Sequence, residues 1–296
     1  MSSNIGGIIE GIYPDARLIS IERFSKGVIN KTYSVEVDGK ELVLRVYPKE
    51  LWKAKKESYL YDFIRKKTDV PVPKVIKAGR NYLLIEKVNG KELDIRDKSL
   101  VGKSGELLAK IHSIKFPYSG WIIGKDIKPR FERWPDFIEY DLKLKLSKIP
   151  SSLKSLKGRI RKIVDKNNGL LDIRIKPCLL HKDYHSSHII TNKGKINGII
   201  DWEWAMAGHN EYDIAKSCVW MFPSNPNLEK IFIEGYERYG SVSDEFFERK
   251  RLYRLLVLTS ALSFSHECKN MKWCKYNLEQ VKGAINEYYK DNREIH

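Results

Sequence analysis

Cysteine is scarce: four in 296 residues, with no CxxC pair, so neither a disulfide framework nor a thiolate zinc site is expected. Cys178, Cys218, Cys268 and Cys274 read instead as reduced, mostly buried thiols. Long apolar runs are missing too. Nowhere do eighteen uncharged apolar residues follow one another, and the first thirty residues hold no charged segment leading into an apolar one. The chain is therefore expected in the cytoplasm, without a membrane partner. It also lacks internal repeats and a low-complexity tail. A net charge of +16, from 54 Lys and Arg against 38 Asp and Glu, would suit a nucleic-acid partner. What is missing is a basic block. Lys is interleaved with Glu and Asp, as in KELWKAKKESYLYDFIRKK, which describes a solvated, ion-paired surface and disfavours nucleic acid.

The hydrophobic content of 42% supports a real core, and a chain of this length favours two lobes with a cleft between them. Residues 1–87 read as the first lobe. Asp38-Gly39 between TYSVEV and KELVLRV is a strong hairpin signal, which puts Leu42, Leu44 and Val46 on one face and Val43 and Arg45 on the other. A helix is expected from Pro48 to about Lys67 with Glu57 in its middle, and VPVPKVIKAG and NYLLIEKV supply further strands. In RFSKGVINKTYSV a turn from Ser25 to Asn30 links two strands; Ser25, Lys26, Gly27 and Asn30 could cover phosphates or be an ordinary hairpin turn.

Residues 88–296 read as a larger, mostly helical lobe, entered through VNGKEL as a linker. His112, on the first of these helices, is expected as a packing or capping residue and not as a ligand. The densest chemistry lies in HKDYHSSHIITNKGKINGIIDWE, from His181 to Glu203. Two apolar runs flank Asn192-Lys193-Gly194-Lys195, so a tight hairpin pairs Thr191 with Ile196 and places His188 opposite Ile199. Asp183, His188 and Asp201 then converge. Such a cluster suits a divalent ion beside a general base.

The segments RFSKGVINKTYSV, ELVLRVYP, VPVPKVI, LLAKIHSI, HKDYHSSHII, GIIDWEWAMAG and EYDIA fall in the order and spacing of the aminoglycoside phosphotransferase and choline kinase superfamily, which the chain resembles over nearly its whole length. The resemblance implies an α+β, bilobal protein-kinase-like fold: a small antiparallel sheet with one helix, and a helical second lobe. It implies a small-molecule kinase using ATP or GTP with magnesium, or manganese in its place, on a hydroxylated acceptor. It also implies roles. Asp183 would be the base and His181 its brace; Asp201 and His188 would hold the metal. Arg45 would meet the phosphates with Glu57 as its partner, and the backbone from Ile85 through Glu86 to Val88 would bind the base. His188 stands where most of the family has Asn, as it does in the branch similar to aminoglycoside 2''-phosphotransferases. Lys182 stands where a small or amide residue is commoner, a place for a phosphate contact or an ion pair. Trp202, Trp204, Glu203 and Asp213 are expected near the acceptor, where aromatics with carboxylates would suit a cationic amine. A sugar, an amino-acid hydroxyl or a nucleoside remains open, and a non-catalytic nucleotide sensor or nucleic-acid-binding protein on the same scaffold is the alternative.

Overall fold

The computed structural model describes residues 5–25 and 30–291, so Lys26 and Gly27 of the expected phosphate-covering turn lie outside the described residues. The chain opens with α1 (Ile5–Ile12), which the sequence reading did not anticipate. An antiparallel sheet follows, made of β1 (Leu18–Arg23), β2 (Lys31–Val37), β3 (Lys40–Val46), β4 (Val75–Ala78) and β5 (Tyr82–Glu86) in the order β1-β2-β3-β5-β4. Alternation along β3 does what the pattern requires. Leu42, Leu44 and Val46 are buried with Ile9 of α1 on one face, while Arg45 is buried on the other, toward the cleft.

Between β3 and β4 lies α2 (Trp52–Lys67), starting four residues beyond the expected Pro48; Arg65, Lys66 and Lys67 in its last turn complement the helix dipole. The stretch VNGKEL is more than a linker. Its Lys91–Glu92 forms β6, which pairs with β10 (Ile189–Asn192), itself paired with β11 (Lys195–Ile199). The chain thus changes sheets between Glu86 and Lys91. Two glycines permit the close contacts there. A Cβ on Gly90, at φ +144°, would sit 2.3 Å from the Thr191 carbonyl oxygen, and one on Gly198 would sit 2.8 Å from the Val88 methyls.

The rest is helical: α3 (Lys98–His112), α4 (Trp134–Lys148), α5 (Lys154–Lys166), α6 (Asn210–Met221), α7 (Pro226–Glu237), α8 (Phe246–Glu267) and α9 (Met271–Asp291). Asp97 caps α3 by accepting from the Leu100 amide at 3.1 Å. A small sheet of β8 (Asp126–Ile127), β7 (Gly120–Ile123), β12 (Met206–Gly208) and β9 (Cys178–Leu180) lies among these helices; β7, β8 and β12 span four residues or fewer, too short to show an alternation. One apolar core runs from α2 and β5 into α3, α6 and α7; a second joins α4, α5, α8 and α9. The mixed α+β architecture is the one expected. Cys178, Cys218 and Cys274 are buried, Cys268 is partly so, and all four are free thiols. No helix among the described residues is long and apolar enough to cross a membrane.

Candidate active site

A cleft of about 900 Å³ lies between the five-stranded sheet and the helices, with β10 and the loops after β9 and β11 on its floor. The loop after β9 carries His181, Lys182 and Asp183, and its shape is set by one buried acid. Asp213, in the first turn of α6, accepts from the His181 amide at 2.7 Å and the Lys182 amide at 2.8 Å. Those bonds hold Lys182 at φ +67°, a conformation that costs an L-residue about 1 kcal/mol or more. Asp213 also faces His112 Nε2 at 3.3 Å, and His112 Nδ1 meets the Tyr236 hydroxyl at 2.9 Å, so His112 is a packing residue as expected. The placement of Asp213 on the acceptor surface is corrected: a carboxylate with three inward partners is a brace for the loop.

His181 is fully buried. Its Nδ1 accepts from the Asp183 amide at 3.2 Å and its Nε2 donates to the Ile200 carbonyl at 3.0 Å, tying the loop after β9 to the end of β11. Burial lowers its pKa to about 4, with His188 contributing, so the ring is neutral in the fold. Trp202 is corrected in the same way. It is completely buried, 4.4 Å from the His181 ring centroid, and its indole N–H donates to the Ile199 carbonyl at 3.1 Å. Only Trp204 of the pair lines the cleft, over Lys53 Nζ at 3.9 Å.

The hairpin register departs from expectation by one residue. Thr191 does face Ile196, but a bulge between Ile190 and Thr191 sets Ile189, rather than His188, opposite Ile199. His188 faces Ile200, whose amide donates to its carbonyl at 3.0 Å. The bulge aims His188 at Asp201. Its Nδ1 donates to the Asp183 carbonyl at 2.8 Å, which leaves the Nε2 lone pair free, 3.6 Å from Asp201 Oδ2. Asp201 adopts φ +68° two residues beyond the end of β11 (Lys195–Ile199).

Arg45 Nη2 donates to Asp201 Oδ1 at 2.9 Å and lies 3.4 Å from Glu57 Oε2, while its buried Nε has no hydrogen-bond partner. Glu57 is wholly buried on α2. It accepts from the Trp202 amide at 2.9 Å and from the Tyr47 hydroxyl, and burial raises its carboxyl well above the usual range although Arg45 opposes this. The chain thus links α2, β3 and the loop after β11 through one charged network. Ile85, Glu86, Lys87 and Val88 line the cleft at the end of β5. Asn30 donates to Glu203 Oε2 at 2.7 Å, and Lys53 Nζ lies 3.2 Å from the same oxygen. Ser25 is exposed at the start of the turn.

Three cations escaped the sequence reading. Lys216 of α6 places Nζ 3.3 Å from Asp183 Oδ1. Burial pushes the Asp183 carboxyl up, but Lys216, His185 and His188 outweigh it and hold the acid well below the usual carboxylate range. The signal was available: Lys216 is three residues past Asp213, on the same helical face. Lys56 donates to the carbonyls of Glu203, at 2.8 Å, and Ala205, at 2.6 Å, from inside α2. Lys53 follows the same face of that helix. His185 was also missed: among the described residues, ligand atoms of Asp183, His185 and His188 lie within 4.8 Å of one another.

Two acids and an imidazole converging beside a buried arginine, in a cleft between a small sheet and a helical lobe, describe a phosphoryl-transfer site. The chain belongs to the phosphotransferase enzyme family, whose model matches residues 20–250. It is 22% identical over 271 residues to the homoserine kinase of Zymomonas mobilis subsp. mobilis, covering 86% of this chain and 82% of that one. A segment of 42 residues, 14% of this chain and 12% of the other, is 38% identical to the hygromycin-B 4-O-kinase of Escherichia coli. Among solved structures, the aminoglycoside phosphotransferase APH(4)-Ia superposes with a TM-score of 0.77 at 17% identity, covering 97% of this chain and 99% of that one. A thermostable mutant of it was solved in ternary complex with AMP-PNP and hygromycin B; its TM-score is 0.74 at 17% identity, over 96% and 98% of the two chains. A gentamicin complex of APH(2'')-IIa gives 0.73 at 15%, over 95% and 96%. The fold is that of these kinases, and the protein is a phosphotransferase of the small-molecule class.

Proposed function

We propose that the chain transfers the terminal phosphoryl group of ATP or GTP to a hydroxyl of a small acceptor. The observation that carries this reading is the convergence of Asp183, His188 and Asp201 in the cleft, with Arg45 bonded directly to Asp201. Residues 1–87 would bind the nucleotide and residues 88–296 would supply the catalytic loop and acceptor wall. The segment from Ile85 to Val88, where the chain leaves β5, would offer its remaining backbone groups to the base, and Arg45 turns its unused Nε toward phosphate oxygens.

The donor set fits a magnesium or manganese ion. His188 Nε2 offers a free lone pair beside an Asp201 carboxylate oxygen, and a carboxylate with one imidazole suits either ion. When bound, the ion neutralises phosphate charge. The chain's own residues do the rest by positioning. Asp183 accepts a hydrogen bond from the acceptor hydroxyl and orients it. Its depressed basicity suits a loose transition state, in which the proton leaves late. The acceptor oxygen bonds to phosphorus as the bond to the bridging oxygen breaks, the diphosphate keeps that electron pair, and the proton passes through Asp183 to solvent. Lys216 balances the Asp183 charge while the donor's phosphates approach.

The known complexes of the similar enzymes with AMP-PNP and hygromycin B, and the similarity to a homoserine kinase, support a nucleotide and a hydroxylated small molecule as the two substrates. The test is a screen of hydroxylated metabolites with ATP and GTP, with and without magnesium, read by mass spectrometry. A phosphorylated product that requires both nucleotide and metal is expected. Nucleotide binding without hydrolysis or transfer under any metal would overturn the reading in favour of a sensor.

A further inference from the structure

The sequence suggested a cleft with aromatics and carboxylates for a cationic amine, and the structure takes the carboxylates away. Glu211 pairs with Arg249 at 2.6 Å in the interior, Asp213 braces the loop, and Glu203 is engaged by Lys53 and Asn30. Among the described residues, β7, α4, α6, α8 and α9 put no carboxylate on the cleft wall. They contribute Trp121, Tyr212, Trp220, Phe264, Trp273 and Tyr276, together with Lys145 and Lys216. Lys182 joins them from the loop. Two of these three lysines are already balanced: Lys145 lies 3.8 Å from Asp141, and Lys216 3.3 Å from Asp183.

Lys182 is different. It is 5% exposed, lines the cleft, and has no hydrogen-bond acceptor and no carboxylate within ion-pair distance among the described residues. Of the two roles open to it in the sequence, the ion pair is not formed among the described residues. Instead its ammonium lies 4.7, 4.9 and 5.9 Å from the ring centroids of Trp121, Tyr212 and Phe137. Ring faces offset only part of the cost of burying a charge. Burial pulls its pKa down to about 8, and an incoming anion would restore it.

We infer that Lys182 is the counter-ion for a carboxylate on the acceptor, so that the enzyme phosphorylates a hydroxyl of a monoanionic molecule with an apolar body. This rests on the phosphotransferase reading above. Asp141 acts on Lys182 as well as on Lys145, so Lys145, Lys182 and Lys216 together face two carboxylates, Asp141 and Asp183; the one positive charge left over calls for one negative charge, which favours a carboxylate over a dianionic phosphate. The aromatic wall supplies contact area for the body, and Asp183, next in the chain, meets the hydroxyl. A polycationic acceptor would place its amines against Lys145, Lys182 and Lys216 on a wall where β7, α4, α6, α8 and α9 supply no carboxylate among the described residues.

Three probes share one skeleton and differ in charge: para-(hydroxymethyl)benzoate, the matching benzamide and the matching benzylamine. Their affinities are measured by calorimetry on the full chain with ADP and magnesium. The benzoate is expected to bind on the order of tenfold more tightly than the benzylamine, with the benzamide between. Lys182→Met should abolish that preference, and Lys145→Gln should reduce it less. If Lys182→Met does not fold, the ranking in the parent and the Lys145→Gln shift decide the matter. Benzylamine binding as tightly as benzoate, no benzoate binding at millimolar concentration, or a preference that survives in folded Lys182→Met would overturn the assignment. Magnesium-dependent ATP hydrolysis by the parent is scored separately. Its absence would sink the phosphotransferase reading while leaving the probe ranking interpretable.

Discussion

The two ends of the cleft handle charge in opposite ways. At the end proposed for the phosphates the cations are paired with carboxylates, Arg45 with Asp201 and Glu57 and Lys53 with Glu203. At the end proposed for the acceptor Lys182 sits among rings with no carboxylate in ion-pair contact among the described residues. A paired network keeps its geometry without a ligand, which suits positioning of phosphates and a metal. An unpaired buried charge instead favours whatever molecule completes it, which suits discrimination between acceptors. Catalysis and specificity would thus be separable by mutation.

Asp183, where the two ends meet, should give the largest effect. Asp183→Asn should lower kcat by on the order of 10² to 10⁴ with nucleotide affinity largely kept, because the phosphate contacts lie elsewhere. Single-turnover transfer at the parent rate would remove Asp183 from the chemistry. Next comes Arg45→Ala, which should weaken triphosphate binding roughly ten- to a hundredfold and nucleoside binding hardly at all. Equal losses would reduce Arg45 to a structural residue. Glu57→Ala should be milder for binding but harsher for folding, costing about 3–5 kcal/mol, since it strips Arg45, Tyr47 and the Trp202 amide of a shared buried partner. Denaturant titration reads that loss, and an unchanged midpoint would contradict it.

The smallest effect concerns acid stability. Burial lowers the pKa of His112, of His181 to about 4 and of His209 to about 3, all below the unfolded value near 6.5. Between pH 6.5 and 4.5 the unfolded chain therefore binds more protons at these sites, and stability falls as pH falls. Glu57 and Glu203, with raised pKa values, oppose this over the same window. A net difference of about one proton gives about 1.4 kcal/mol per pH unit. His209→Gln, which removes the ring facing the Tyr253 hydroxyl at 2.8 Å, should flatten the slope; an identical slope would contradict the assignment.

How legible this was from the sequence follows from the range of each signal. Alternation fixed the faces of β3, because period two is local, and the helices showed through their apolar spacing. Strands as short as β6, β7, β8 and β12 carry no period, and the bulge at Ile190 leaves no mark in composition, so His188 came out one residue off register. Asp183, His188, Asp201 and Arg45 were legible because their spacing matches a family. Trp202 and Asp213 were misplaced because an aromatic or an acid near a motif looks the same whether it faces the cleft or the core. Lys216, Lys53 and Lys56 were hidden among 54 basic residues, where abundance masks the few that are buried or aimed.

His188 and Asp201 are proposed to hold the ion that accompanies the phosphates. Manganese reports on it directly, and pulsed electron paramagnetic resonance of the protein with manganese and AMP-PNP resolves the nuclei around the ion. Phosphorus and a single imidazole nitrogen should couple to the same manganese, with the nitrogen signal lost in His188→Asn while the phosphorus signal remains. Because imidazole suits manganese better than magnesium, that variant should also lose relative activity with manganese. Phosphorus coupling without nitrogen in the parent, or a nitrogen signal that survives His188→Asn, would contradict it.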